Sequence, residues 1–202
     1  MRFLSRAPFL RELTLVVGCW LAAGSAQALG YMPWPHVVER VMSQPAPARA
    51  QLINHVVNDF DYHPGTDPSQ WLTPDELAQR GGGDCKDFAL AKFWLLRQAG
   101  VAPDRVRLAY GHWTQGNERR THLVVLLWAD DGSPLVLDNL VPGLRRLSDR
   151  ADLSIRFSFD ERGFYDQVGT QRIADQPLKG WRGTWDRLVA QPARPVVASG
   201  LR

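Results

Sequence analysis

One segment in the middle of the chain constrains the fold most strongly. Residues 86–100 are apolar nearly throughout, and Gly100 stands where helices usually end. Because a helix that is apolar on most sides must be covered from several directions, this segment predicts a central buried helix. It follows the string Gly81-Gly82-Gly83-Asp84-Cys85, in which Asp84 is a good helix N-cap. We therefore expect Cys85 in the first turn of that helix, after glycines that let the backbone turn sharply and approach a substrate closely.

Downstream of this helix the apolar residues recur every second position, which is typical of strands. Three such runs cover residues 106–110, 121–128 and 134–140. Two turn sequences, Gln115-Gly116-Asn117-Glu118 and Asp130-Asp131-Gly132-Ser133, separate the runs. The pattern predicts an antiparallel meander, and hence an α+β fold in which the central helix packs on an antiparallel sheet.

Weaker signals predict the remaining elements. Residues 29–46 are rich in proline, and Pro47 suits the first turn of a helix whose apolar residues continue to Phe60. Thr73-Pro74-Asp75-Glu76 is a capping box, so a short helix should follow it. Residues 155–159 are a candidate for a further strand.

The beginning of the chain is typical of a secretory signal. Three arginines precede an apolar run, and Ala26-Gln27-Ala28 supplies the small-x-small pattern of a cleavage site. We therefore expect a signal peptide over residues 1–28, one domain over 29–190, a flexible tail over 191–202, and a location outside the cytoplasm. In the alternative interpretation, Val16-Val17-Gly18-Cys19 is a lipoprotein cleavage box, and Cys19 becomes a lipidated N-terminus.

The charge balance argues against a nucleic-acid partner. The chain has 24 basic and 21 acidic residues, a net charge of +3. Removing the first 28 residues takes away three arginines and one glutamate, which leaves 21 basic and 20 acidic residues and a net charge of +1. Arg119-Arg120 and Arg145-Arg146 are isolated pairs rather than a basic stripe. We expect no nucleic-acid binding.

Cys85 is the only cysteine after the expected signal, because the other cysteine is Cys19. A lone thiol in an oxidising compartment is either buried and inert or present for its reactivity. At a helix start, unpaired backbone N–H groups and the helix dipole favour a thiolate, and the same N–H groups can stabilise an oxyanion. Cys85 is therefore a candidate nucleophile, and its alternative role is that of a small apolar residue covering the helix start.

A nucleophilic thiol needs a base, and His122 is the best-placed candidate. It opens the apolar strand 121–128, a rigid element that could hold an imidazole at a fixed distance from the helix start. His112 stands beside a glycine near a hairpin and is the fallback. Three further histidines lie upstream of Cys85: His36, His55 and His63.

Asp138 is the candidate for the group that orients the imidazole. It ends an apolar strand, where a buried carboxylate is costly without a partner, and its alternative role is to start a turn with Asn139. The runs 121–128 and 134–140 should pair as a hairpin. If the numbers of two paired residues sum to 262, His122 and Asp138 are diagonal neighbours on one face of the sheet, whereas a sum of 263 puts them on opposite faces. The triad therefore predicts a three-residue turn or a bulge within residues 130–133.

Together these residues resemble a known family. The matching strings lie within residues 30–160: Trp71-Leu72-Thr73-Pro74, Gly82-Gly83-Asp84-Cys85-Lys86-Asp87-Phe88-Ala89, Thr121-His122-Leu123-Val124 and Leu135-Val136-Leu137-Asp138-Asn139-Leu140. With Cys, His and Asp in this order, the chain is similar to the transglutaminase-like branch of the papain-type thiol enzymes. More narrowly, it resembles the bacterial transglutaminase-like cysteine peptidases, the LapG-like periplasmic proteases.

The resemblance implies a papain/transglutaminase-like fold with the nucleophile on the helix and the other two groups on the sheet. It implies Cys85 as nucleophile, His122 as base and then acid, and Asp138 as the orienting group, in peptide-bond cleavage through a thioester. It further implies a periplasmic enzyme whose protein substrate is a large cell-surface adhesin, cut near its N-terminus, and an inner-membrane protein as regulatory partner.

The family also implies a calcium ion beside the catalytic cysteine, although the chemistry itself requires no cofactor. Asp84 matches one acidic position of that site. Lys86 departs from it, because the family usually has glutamate there and an ammonium group removes a ligand and opposes the cation. Two alternatives follow: calcium is bound in a different way, or this member works without it.

Two alternative functional interpretations are open for the same arrangement of Cys85, His122 and Asp138. Water and an amine attack the same thioester, so acyl transfer of the transglutaminase type is an alternative to hydrolysis. A non-catalytic envelope binding module that keeps the fold is an alternative of another class. Trp71 is a candidate for lining the substrate groove or assisting the oxyanion, and packing is its alternative role.

Overall fold

The computed structural model describes residues 34–65, 67, 69–167, 169, 171–173, 178 and 180–190. The signal predicted over residues 1–28 and the tail predicted over 191–202 lie outside these residues. The five α-helices of this part of the chain are α1 (Trp34–Met42), α2 (Ala46–Asn58), α3 (Pro74–Arg80), α4 (Cys85–Gln98) and α5 (Trp181–Ala190), and short 3-10 helices cover Pro103–Arg105 and Leu147–Asp149. The strands are β1 (Asp61–Tyr62), β2 (Gly82–Gly83), β3 (Val106–Gln115), β4 (Glu118–Trp128), β5 (Pro134–Leu137), β6 (Arg145–Arg146), β7 (Leu153–Asp160), β8 (Gly163–Tyr165) and β9 (Arg172–Ile173).

Helix α4 is the central element, and the α+β fold predicted from the sequence is confirmed. Ten of its side chains are buried, and it packs against α2, α3, β3 and β4. Phe93 and Leu96 are fully buried in the main core, where each large apolar side chain contributes about 1.5–3 kcal/mol. Gly100 adopts φ +81°, the left-handed conformation that ends helices and that favours glycine. The sequence signal for the helix end is thus confirmed.

The sheet has seven strands in the order β6-β5-β4-β3-β7-β8-β9, and all neighbours are antiparallel. The meander β3-β4-β5 matches the prediction, and the strand predicted at residues 155–159 is β7, which pairs with the other edge of β3. No described helix is both long and apolar enough to cross a bilayer.

The β4–β5 hairpin has the register that the triad predicts. Val125 pairs with Leu137 and Trp128 with Pro134, so the paired numbers sum to 262. The Ala129 N–H donates to the Ser133 carbonyl at 2.9 Å and closes a three-residue turn over residues 130–132. Both the register and the turn length are confirmed.

Some boundaries differ from the sequence prediction. The third strand stops at Leu137 rather than at residue 140, because Asp138 Oδ1 accepts the Leu140 N–H and turns the chain out of the sheet. The helix expected to reach Phe60 ends at Asn58. Helices α1 and α5 are additions, and both bury tryptophans in the core.

The glycines before Cys85 provide the sharp turn that the sequence predicts, but the close backbone approach that they allow is to a neighbouring strand. Gly81 has φ +72° and caps α3, which confirms the sharp turn. Gly82 lies so close to β1 that a Cβ there would overlap the Asp61 carbonyl oxygen, so the close approach is to the neighbouring strand. The parallel pairing of β1 with β2 fixes the backbone shortly before Cys85.

Candidate active site

Cys85 is the first residue of α4, as the sequence predicts. Asp84 is the N-cap: its side chain accepts the Lys86 N–H at 3.0 Å, and Asp87 accepts the Asp84 N–H in return. In the described part of the chain, the Cys85 N–H has no hydrogen-bond acceptor. The thiol is partly exposed. It therefore meets solvent at the positive end of the helix rather than lying sealed in the core.

His122 lies between the Cys85 thiol and the Asp138 carboxylate. The ring is 5% exposed, and its Nε2 lies 2.7 Å from Asp138 Oδ1. Cys85 lines the same cavity and, because Nε2 faces Asp138, Nδ1 is the nitrogen available to the sulfur. Burial alone would lower the pKa of His122, but the hydrogen bond to Asp138, together with the interactions of the ring with Cys85 and the Asp138 charge, outweighs burial and raises the pKa to about 9. At neutral pH the ring is an imidazolium that donates to Asp138.

Four contacts fix Asp138, which is 1% exposed. Oδ1 accepts from His122 and from the Leu140 N–H, Oδ2 accepts from Arg150 at 2.8 Å, and the Asp138 carbonyl accepts from Asn58 at 2.9 Å. Burial would raise the pKa of Asp138, but the hydrogen bond and charge of His122, with the other donors, lower it to about 2. The carboxylate is therefore ionised at neutral pH.

The sequence did not point to Arg150 or Asn58. Arg150 is 4% exposed and is held by Asp152 through a hydrogen bond of 2.8 Å from its Nε. Asn58 ends α2 and ties that helix to the end of β5. Neither residue belongs to a local pattern, since each meets Asp138 through the tertiary fold. Both position the carboxylate that in turn orients His122.

The other candidates take different places. His112 pairs with Thr121 across β3 and β4, and its Nδ1 contacts Arg119 Nη2 at 3.2 Å, so the structure does not bring it to the thiol. Trp71 lies 5% exposed against Phe159 and Trp181, and also lines the cavity beside Cys85. The packing and groove roles considered for Trp71 therefore coexist.

A cavity of about 360 Å³ opens onto the thiol. Its walls come from the loop after β1, the start of α4, and strands β3 and β4. They include Tyr62, Gly65, Tyr110 and Thr121, together with Cys85 and His122. A partly exposed thiol, a charged imidazole and an unpaired helix N–H thus face one cleft, which is the arrangement that nucleophilic attack on an acyl carbon needs.

The fold and this arrangement define a transglutaminase-like thiol protease. The sequence profile of the bacterial transglutaminase-like cysteine proteinases matches residues 36–152, and the chain belongs to this family. The calcium-bound form of LapG from Legionella pneumophila is 29% identical, with a TM-score of 0.66 over 77% of this chain and 87% of LapG. The EGTA-treated form is 27% identical, with a TM-score of 0.67 over 77% and 86%. Among curated proteins, none matches the chain significantly.

Lys92 is a second buried cation near the site. It lies two turns after Cys85 on α4 and is 1% exposed, and in the described residues its Nζ makes no hydrogen bond or ion pair. Nζ lies 6.0 Å from the centre of the Phe88 ring. Burial lowers the pKa of Lys92 to about 7, against the opposing charge of Asp138.

A Lys92→Met variant is expected to gain stability relative to the wild type at low pH and to lose this advantage as pH rises. The folded pKa is below the unfolded value of 10.5, so the unfolded chain binds more protons between about pH 7 and 10.5, and the contribution of Lys92 to stability rises with pH there. The difference between variant and wild type should fall by at most about 1.4 kcal/mol per pH unit. Urea unfolding of both proteins at several pH values measures this stability difference.

The exposed Arg80→Met variant is the control for this series, since arginine stays protonated throughout. Its stability difference from the wild type should not change with pH. If the stability difference between Lys92→Met and the wild type were equally independent of pH, Lys92 would keep its proton in the folded state.

Proposed function

We propose that the protein is a periplasmic cysteine endopeptidase that cleaves a large cell-surface adhesin through a thioester on Cys85. The single observation that carries the catalytic part is that Cys85 and His122 line one cavity while His122 Nε2 lies 2.7 Å from Asp138 Oδ1. Membership of the proteinase family supports peptide-bond cleavage. The adhesin substrate and the inner-membrane regulatory partner are what the sequence resemblance to LapG-like proteases implies, and the structural similarity to LapG supports that resemblance.

The proposed reaction proceeds in two halves. The Cys85 thiolate attacks the carbonyl carbon of the scissile bond, and the oxyanion is stabilised by the free Cys85 N–H. The His122 imidazolium gives its Nδ1 proton to the leaving amine, and the thioester remains. The neutral ring then takes a proton from the water that attacks the thioester, the acid product leaves, and the thiolate and imidazolium of the starting state are restored. Throughout, Asp138 accepts the Nε2–H and holds the ring in place.

Alkylation of Cys85 tests the catalytic proposal. We expect iodoacetamide to modify Cys85 at neutral pH about tenfold or more faster than a free peptide thiol, because the partly exposed sulfur lies at a helix start and lines one cavity with His122. Peptide mass mapping separates Cys85 from Cys19. The His122→Ala variant should react no faster than the free thiol. A normal or slow rate in the wild type would contradict the proposal and favour a non-catalytic binding module.

A labelled amine separates hydrolysis from acyl transfer. Under the proposed hydrolysis, a peptide substrate incubated with an isotope-labelled primary amine yields unlabelled acid product. Labelled amide product would instead assign transglutaminase-type transfer to the same thioester.

The periplasmic location is proposed from residues 1–28, and N-terminal sequencing of the secreted protein tests both cleavage after Ala28 and the lipidated Cys19 alternative.

A further inference from the structure

Lys86 lies beside Cys85, where the family resemblance predicts a calcium ion. Lys86 Nζ forms an ion pair with Asp84 Oδ2 and lies 4.0 Å from Asp87 Oδ2. The side chains of Lys86 and Asp84 are 11% and 10% exposed. A covalently tethered positive charge therefore lies between two buried carboxylates, one and two residues from Cys85.

The oxygens of both carboxylates already have donors. Asp84 Oδ1 accepts the Lys86 N–H and Oδ2 accepts its ammonium group. Asp87 Oδ1 accepts the Leu72 N–H and Oδ2 accepts the Asp84 N–H. Calcium takes six to eight oxygen ligands. In the described part of the chain, no three acidic, histidine or cysteine residues form a group that could hold a metal ion.

The loop after β1 closes over the same ion pair. At Gly65 a Cβ would overlap Asp84 Oδ2 and lie 2.9 Å from Lys86 Nζ. The His63 N–H donates to the Gly83 carbonyl at 2.8 Å and holds the loop there. Backbone and the lysine ammonium group thus approach Asp84 Oδ2 on the wall of the cavity that opens at Cys85, and a divalent ion there would meet a fixed positive charge and carboxylate oxygens that already have donors. These residues do not fit calcium.

LapG was solved both calcium-bound and EGTA-treated, so the contrast lies within one family. We propose that the Lys86 ammonium group replaces a divalent cation in this chain, neutralising Asp84 and Asp87 and holding the loop at Gly65, so that the protein neither binds calcium at this site nor responds to it. Replacing a dissociable ion by a side chain would turn a calcium-dependent arrangement into a permanent one.

Thermal unfolding of the purified protein in millimolar calcium and in EGTA tests the proposal. The wild type should have the same Tm in both. Lys86→Glu removes the tethered charge and adds a ligand, so its Tm should fall in EGTA and rise again by about 5 °C in calcium. Lys86→Met removes the charge and adds no ligand, so its Tm should fall by about 5 °C and calcium should not restore it.

Arg80→Glu is the matched control, because it makes the same change of charge at an exposed helix end and should not create a calcium response. A Tm of the wild type that rises with calcium would overturn the proposal. So would a Lys86→Glu variant that ignores calcium, or a Lys86→Met variant as stable as the wild type. These measurements use no substrate, so they remain readable even if the protease assignment fails.

Discussion

Replacing His122 by alanine is expected to lower kcat/KM by about 10⁶-fold while leaving the protein folded. Among the described residues, the ring is the only imidazole that lines the cavity with Cys85, and both halves of the proposed reaction pass a proton through it. Loss of this one group therefore removes the ion pair that activates the sulfur and the acid that releases the amine. Peptide hydrolysis under kcat/KM conditions, with circular dichroism as the test of folding, measures the effect.

His112→Ala is the matched control for this variant. His112 lies in the same hairpin but contacts Arg119 rather than the thiol, so its removal should change kcat/KM by less than about threefold. An active His122→Ala variant combined with an inactive His112→Ala variant would move the base to His112 and contradict the triad.

Asp138→Asn is expected to lower kcat/KM by about 10⁴-fold and to change its pH dependence. Asp138 stabilises the protonated ring, so its loss lowers the pKa of His122, and the alkaline limb of the pH profile moves from near pH 9 to lower pH. The Arg150 guanidinium, which then keeps only its pairing with Asp152, adds to this shift through its positive charge. Profiles of kcat/KM against pH measure both effects.

Asp152→Asn is the control for the loss of a carboxylate. Asp152 also binds Arg150 but does not touch His122, so the variant should keep its alkaline limb near pH 9. An Asp138→Asn variant with reduced activity and an unmoved alkaline limb would show that His122 is not the titrating group.

The sequence predicted the part of the fold that follows from local patterns. The near-continuous apolar run before Gly100 marks α4, and the period of two marks the meander. The hairpin register was predictable because a period of two allows only one parity to bring His122 and Asp138 together. Asp84 as N-cap located Cys85 at the helix start.

The parts that were missed depend on weaker patterns or on tertiary contacts. Trp181, Trp185 and Leu188 have helical spacing in α5, a signal that Gly183 and neighbouring charges obscured. Prolines likewise obscured α1. Arg150 could not have been found, because it follows a short 3-10 helix and meets Asp138 only after the chain has folded back.

The three-residue turn between β4 and β5 has a consequence for how this family can vary. Surface loops usually tolerate changes of length. Here a single inserted or deleted residue between Trp128 and Pro134 would turn the Asp138 carboxylate to the far side of the sheet from His122, although the turn itself contacts neither side chain. Relatives that keep the activity should therefore differ in the composition of this turn but conserve its residue count.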